Sequence, residues 1–300
     1  MAKTSGKITY WNRRKQKIEV EQVYGDASLR WVYESRLGQF LADHVLSKSF
    51  VSQLYGAYQS SRMSSQKIQS FIQQFQIPMQ EFEEGPFQSF NDFFIRKFKP
   101  GYRPFTQKSE ELPAFAEARY YAFEKVGRDQ KFPVKGLSLD LAQLLGGEER
   151  AAPFLGGPLL LARLCPTDYH RFHFPDHGKV LEQYTLHGPL HSVNPVALRY
   201  HPEILETNER VVTLLETQNF GRLAYIEVGA LCVGKIVQTY DAQAPFHRGD
   251  EKGYFLFGGS TVIVVGEPGH WCIEADLLEQ TRESRETLVE LGQCVARRTE

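Results

Sequence analysis

The chain has 300 residues, 35 Lys and Arg against 36 Asp and Glu, 42% hydrophobic and 24% charged residues. That suits one large or two modest folded domains and excludes a globally disordered chain. The even charge balance excludes a nucleic-acid binder working through bulk positive charge, so no nucleic acid is expected as a partner. Residues 1–20 are polar and lack an apolar h-region, so no signal peptide is expected. The most apolar stretch, Pro153–Cys165, is too short to span a bilayer and contains Arg163. Any membrane contact is therefore expected at the surface.

In chain order, Leu29–Leu46 carries Leu29, Val32, Leu37, Phe40, Leu41 and Val45 at near-helical spacing and predicts one helix. Ser64-Ser65 would cap a second helix through Ile68, Phe71, Ile72 and Phe75, ending before Pro78. Phe90, Phe93, Phe94 and Phe98 line one face of a short third helix, flanked by Arg96, Lys97, Lys99 and Arg103 and stopped by Pro100-Gly101. From about residue 105 short β-rich runs follow: Arg119–Val126, Leu159–Leu164, Lys179–Leu186, Arg222–Val228, Leu231–Gln238 and Thr261–Val265. A helical tail is expected from about Leu277. The predicted class is α+β, with a helical region over 1–104 and a mostly β domain over 105–300. Cys165, Cys232, Cys272 and Cys294 show neither metal-ligand spacing nor a disulfide pattern and read as free thiols.

Two segments carry chemistry. Glu251–Gly266, EKGYFLFGGSTVIVVG, places Gly-Gly-Ser-Thr between an aromatic strand and a Val/Ile strand. One reading is a β-hairpin with a glycine turn. The other is that glycine permits a strained backbone, letting the Ser260 hydroxyl approach the Gly259 carbonyl. Leu164–Val180, LCPTDYHRFHFPDHGKV, holds His170 and His173 three apart, with His177 nearby. Surface histidines, zinc ligands and proton transfer are all readings of that spacing; zinc would need three or four ligands, with His177 a third.

Together these segments resemble the phosphatidylserine decarboxylase family over nearly the whole chain. The matching stretches are FNDFFIRKFKPGYRP (Phe90–Pro104), DYHRFHFP (Asp168–Pro175), LHGPLHSVNP (Leu186–Pro195), Asn208-Glu209-Arg210, VGALCVGKI (Val228–Ile236) and FGGST ending in Ser260-Thr261. Their common order makes the resemblance specific although each motif alone is weak.

The resemblance implies a proenzyme that cuts itself between Gly259 and Ser260 and converts Ser260 to a covalent pyruvoyl cofactor. A Schiff base on that group would then turn phosphatidylserine into phosphatidylethanolamine and carbon dioxide. It implies His173 as the base that activates Ser260, His170 as a supporting or substrate-binding residue, and no metal. The large and small chains would stay associated, and a homodimer is compatible with the family. The expected location is peripheral, on the cytoplasmic face of a membrane, the cell membrane for a bacterial chain. One departure stands out: the family's Asp that orients the catalytic histidine is replaced by Glu117 in AFAEAR (Ala114–Arg119). Glu117 keeps the charge with one more methylene, so the orienting role is carried over to it, with Asp168 or Asp176 as the fallback. Two rival functions remain: a pyruvoyl decarboxylase of a soluble amino acid, and a binding protein that keeps the fold without processing.

Overall fold

The computed structural model describes residues 8–127, 129–131, 138–231, 235–258 and 260–299. Its centre is a nine-stranded sheet, and the fold is α+β. In spatial order the strands are Lys17–Val20, Thr9–Asn12, Glu286–Val289, Ala118–Phe123 and Leu159–Leu164. Ser260–Gly266, Arg222–Val228, Arg210–Thr217 and Gly178–Leu186 complete it. Neighbours are antiparallel except Thr9–Asn12 against Glu286–Val289, which are parallel. Leu159–Leu164 and Ser260–Gly266 are buried at every position, which is why they read as continuous apolar runs. A three-stranded sheet, Ile236–Gln238, Glu251–Phe255 and Arg171–His173, packs beside it. The first part of the Leu231–Gln238 run, residues 232–234, lies outside the described residues.

Expectations for the first residues and for the C-terminal part are corrected. The first described residues form a hairpin, Thr9–Asn12 with Lys17–Val20, which joins the large sheet. The C-terminal part is a helix, Ala275–Arg282, followed by strands Glu286–Val289 and Cys294–Arg298. Ser284 sits at a φ of 57° between helix and strand and turns the chain back onto the sheet.

The N-terminal helices are α1 (Asp26–Glu34), α2 (Arg36–Leu41), α3 (Ser49–Gln59), α4 (Ile68–Phe75) and α5 (Phe90–Phe94), with a π turn at Ala42–Leu46. The single Leu29–Leu46 helix is broken at Ser35. Its backbone is extended and its hydroxyl accepts the Gly38 N–H, so it caps α2 instead of continuing α1. Ser64 does not cap α4: it is buried in the 3-10 turn Arg62–Lys67 and accepts the Phe90 N–H at 2.8 Å. Phe90, Phe93 and Phe94 are buried with Phe71, Phe82, Tyr169 and Phe257 in an aromatic cluster. The apolar face of α5 is therefore core, and its basic neighbour Arg96 is buried against Phe82 and Phe93.

The two sheets are pinned by a buried ion pair. Lys252, on the small sheet, donates to Glu227 at 2.6 Å, Thr213 at 2.9 Å and Gln238 at 3.0 Å. All three ammonium protons have acceptors, and the rings of Tyr225 and Tyr240 lie 5.0 Å away. Burial pulls the Lys252 pKa down, and the Glu227 carboxylate pushes it back up. Truncating one partner strands the other charge. Lys252→Ala should therefore lower unfolding free energy by about 3–5 kcal/mol in urea titrations, and the double variant Lys252→Met/Glu227→Leu should recover much of that loss.

Candidate active site

Ser260 is buried and opens its strand, opposite Leu164. The strand before it, Glu251–Phe255, pairs with Ile236–Gln238 and Arg171–His173 in the other sheet. The glycine-rich turn is therefore a crossing between two sheets and not a hairpin. Gly258 has a φ of 149°, a conformation that side chains strongly disfavour. Gly259 lies outside the described residues.

Ser260 Oγ stands 3.3 Å from Nδ1 of His170, which is wholly buried. The other ring nitrogen, Nε2, lies 2.8 Å from the Cys165 carbonyl. A carbonyl only accepts, so Nε2 carries the proton and Nδ1 presents its lone pair to the serine hydroxyl. Phe94 stacks on the imidazole with centroids 3.9 Å apart. Burial drives the His170 pKa down to about 3, only partly opposed by the Cys165 carbonyl. The ring is thus neutral at physiological pH and held in the tautomer a base toward Ser260 requires.

His173 is placed differently. Its Nδ1 donates to the Gly249 carbonyl at 2.9 Å, and its Nε2 receives the Tyr169 hydroxyl at 3.2 Å. Burial lowers its pKa as well, while Glu251 and Asp250 pull it upward. The structure therefore brings His170, and not His173, against Ser260. Tyr169, which bonds His173, and Phe94, which covers His170, were not read from the sequence as site residues, although both lie inside the motifs quoted above.

Glu117 makes no hydrogen bond to either histidine. Its carboxylate is clasped by Arg103, at 2.5 Å from Nε and 3.0 Å from Nη2, and accepts the Leu291 N–H at 3.3 Å. The fallback carboxylates are committed elsewhere too. Asp168 accepts from Arg119 at 2.5 Å and from the Cys165 N–H at 2.8 Å. Asp176 holds Asn219 and Arg248. His177 faces His247, with Nδ1 atoms 3.3 Å apart. Among the described residues no group of three or more His, Cys, Asp or Glu side chains could hold a metal ion.

A cavity of about 540 Å³ lies beside Gly258 and Phe257. Leu164, Val193, Leu231, Leu29 and Val32 give it apolar walls, and Gln22, Ser192 and Asn194 add polar groups. Arg163 and Glu21 also line it, and Arg163 binds Glu21 at 2.6 Å and Glu286 at 2.5 Å. Burial opposes ionisation of Glu21, but Arg163 and Arg119 overcome it and hold the carboxyl down to about 2.

A family model for phosphatidylserine decarboxylase matches residues 90–295. The chain belongs to the phosphatidylserine decarboxylase family. It is 39% identical over 290 residues to the phosphatidylserine decarboxylase proenzyme of Clostridium novyi (strain NT), covering 96% of this chain and 98% of that one. The protein of the same name from Clostridium tetani (strain Massachusetts / E88) is 40% identical over 293 residues, covering 97% and 98%. That of Desulfitobacterium hafniense (strain DSM 10664 / DCB-2) is 39% identical over 290 residues, covering 96% and 97%. Members of this family are decarboxylases, which are lyases.

The buried histidine of this decarboxylase-family site has a consequence for stability. The unfolded chain takes up a proton at His170 near its ordinary value of 6.5, the folded chain only near 3. Below 6.5 the unfolded state binds more protons, so the contribution of neutral His170 falls as pH falls through that window. Urea midpoints between about pH 4 and pH 7 should therefore drop less steeply for His170→Gln than for the unmodified protein. Parallel acid limbs would show that the imidazole is not held neutral by the fold.

Proposed function

We propose that the chain makes a pyruvoyl group from its own Ser260 and uses it to decarboxylate phosphatidylserine to phosphatidylethanolamine. The observation that carries this is the contact between buried Ser260 Oγ and the unprotonated Nδ1 of His170 at the sheet crossing. His170 takes the hydroxyl proton as Oγ attacks the Gly259 carbonyl carbon. The peptide C–N bond gives way to an ester, and the nitrogen of residue 260 becomes an amine. Loss of the Cα proton and of the ester oxygen releases Gly259 as the carboxylate end of the larger chain. Water then replaces nitrogen at the Cα of residue 260, and ammonia leaves.

The residues present fit such a group: a buried serine with a base on its oxygen, at the first position of a strand, beside a cavity. The pyruvoyl group supplies an electrophilic carbonyl for a primary amine and so a sink for the electron pair left when carbon dioxide departs. The chain's own residues do the rest. His170 Nδ1, on the reacting side, holds and returns protons, and the apolar walls exclude water. Gln22, Ser192 and Asn194 offer hydrogen bonds to a polar headgroup. The small chain, residues 260–300, stays attached after the cut. Its Ser260–Gly266 strand is paired on both sides by strands of the large chain, Leu159–Leu164 and Arg222–Val228.

A lipid is favoured over a soluble amino acid because of the helices that wall the cavity. Gly25, Ser28, Leu29 and Val32 come from the start and body of α1, and Tyr55 from α3. Within 31–63 lie Trp31, Leu37, Phe40, Val45, Phe50, Leu54, Tyr58 and Met63, eight of the twelve exposed large apolar side chains among the described residues. Among those residues no helix is long and apolar enough to cross a membrane. We assign this surface to peripheral contact with a bilayer, its apolar side chains dipping into the interface. Glu117 is assigned a structural part instead, holding Arg103 and the segment that follows α5.

Ser260→Ala should leave one full-length chain and no decarboxylase activity on a denaturing gel and a carbon dioxide release assay. His170→Ala should block cleavage, whereas His173→Ala should slow it less, because it reaches the serine only through its neighbours; the reverse order would return the base to His173. For the surface, Phe50→Glu with Leu54→Glu should cut flotation with phosphatidylserine-containing vesicles by about tenfold or more, given roughly 1.5–3 kcal/mol per buried side chain. Unchanged flotation would remove α3 from the membrane contact.

A further inference from the structure

Three successive peptides before the scissile turn are tied down, each to a different element. Phe255 N–H donates to the His170 carbonyl at 2.9 Å, and Leu256 N–H to the Lys235 carbonyl at 3.1 Å. Phe257 N–H donates to Oδ1 of Asn91 at 2.8 Å. Of these, the third comes from a side chain. Asn91 is buried in α5, and an N–H can only be met by the amide oxygen, which fixes the orientation of the group. Its Nδ2 then donates to Ser60 Oγ at 2.9 Å and toward the Gly56 carbonyl at 3.4 Å. Gly56 lies in α3 and Ser60 is its cap, on the helix that exposes Phe50, Leu54 and Tyr58. The Phe257 ring is locked on the same side, edge-on to Phe90 and Phe94 at 5.0 Å each.

We infer that Asn91 is the positioning residue for self-cleavage: its amide clamps the Phe257 peptide, three residues before the nucleophile, and hangs that clamp on α3. The inference rests on the reading of Ser260 as the nucleophile. Beyond Phe257 come two glycines, which resist bending least of all residues. Without a fixed point at Phe257 the carbonyl to be attacked would wander relative to Ser260 Oγ, and displacements of about 1 Å can cost about a hundredfold in rate. The clamp also makes the seating of α3 and the aim of the scissile segment one packing event, so the helix proposed to meet lipid is in place when the chain cuts itself.

The test follows the conversion of full-length chain into two chains on a gel, with circular dichroism and melting temperature measured on the same samples. Asn91→Leu should slow conversion by about tenfold or more. Asn91→Asp keeps the acceptor for Phe257 N–H and should restore the rate to within about threefold, a rescue that a merely space-filling role would not give. Ser60→Ala alters an exposed residue, so the fold is safe, and it should slow conversion by loosening the amide. The inference is overturned if Asn91→Leu folds and cleaves at the unmodified rate, or if Asn91→Asp is as slow as Asn91→Leu at equal melting temperature. Should Asn91→Leu fail to fold, Ser60→Ala decides, and an unmodified rate there overturns the inference. Cleavage in Ser260→Ala would bring down the underlying reading and the inference with it. Cleavage that needs Ser260 but ignores Asn91 brings down the inference alone.

Discussion

The chain leaves a three-stranded sheet at Phe255 and enters a nine-stranded one at Ser260, and the site follows from that crossing. Four residues span the gap, so both ends must be held firmly. Phe255 is held by the carbonyl of His170. Ser260 is held by pairing opposite Leu164. His170 directly precedes the Arg171–His173 strand, which pairs with the strand leading into the crossing. The contact between His170 and Ser260 is thus set by strand pairing in both sheets, and needs no separate scaffold. It also explains why Lys252 and Glu227 are tolerated as a buried pair. They fasten the small sheet to the large one, and a shift there would move the histidine relative to the serine.

Burial gives the crossing its chemistry. Phe94 on one face of His170 and the aromatic cluster around Phe257 bury the ring away from solvent, which disfavours an imidazolium. The buried Arg96 charge acts in the same direction, opposing protonation of the ring. Arg119 and Arg163 meet Glu21, Glu286 and Asp168. Glu21 directly follows the N-terminal hairpin, so the hairpin brings in a carboxylate that Arg119 and Arg163 share. The N-terminal region accordingly contributes both a strand pair and a counter-charge to the catalytic sheet, besides its helices.

The apolar strands and the FGGST turn were legible because burial on both faces leaves uninterrupted runs of Leu, Val and Ile. The hairpin was not, because its strands are only four residues each, too short a run to carry a clear period. The break at Ser35 was hidden for another reason: helical spacing continues across it, and only the capping bond to Gly38 reveals it. The two histidines show what spacing cannot decide. On a helix, residues three apart share a face; in extended chain they point to opposite sides. DYHRFH runs into a strand, so only one of His170 and His173 can face Ser260. Choosing between them needs the strand's register, which no motif carries.

Glu117 shows how a substitution can keep its charge and change its partner. Its carboxylate binds Arg103, which also meets Glu81 and lies over Phe98. It thereby joins the segment after α5 to the backbone of Leu291 near the C-terminal strands. Freeing it to orient a histidine would cost Arg103 its two-point carboxylate partner. Nor is an orienting position open, because both histidines donate to backbone carbonyls, His170 to Cys165 and His173 to Gly249. A carbonyl fixes a tautomer as well as a carboxylate does, but it stabilises the protonated ring less. That lowers the rate at which the base can take the proton of Ser260. The proposed cleavage happens once in the life of each chain. A base fixed by carbonyl groups alone, slow but correctly aimed, is sufficient for it.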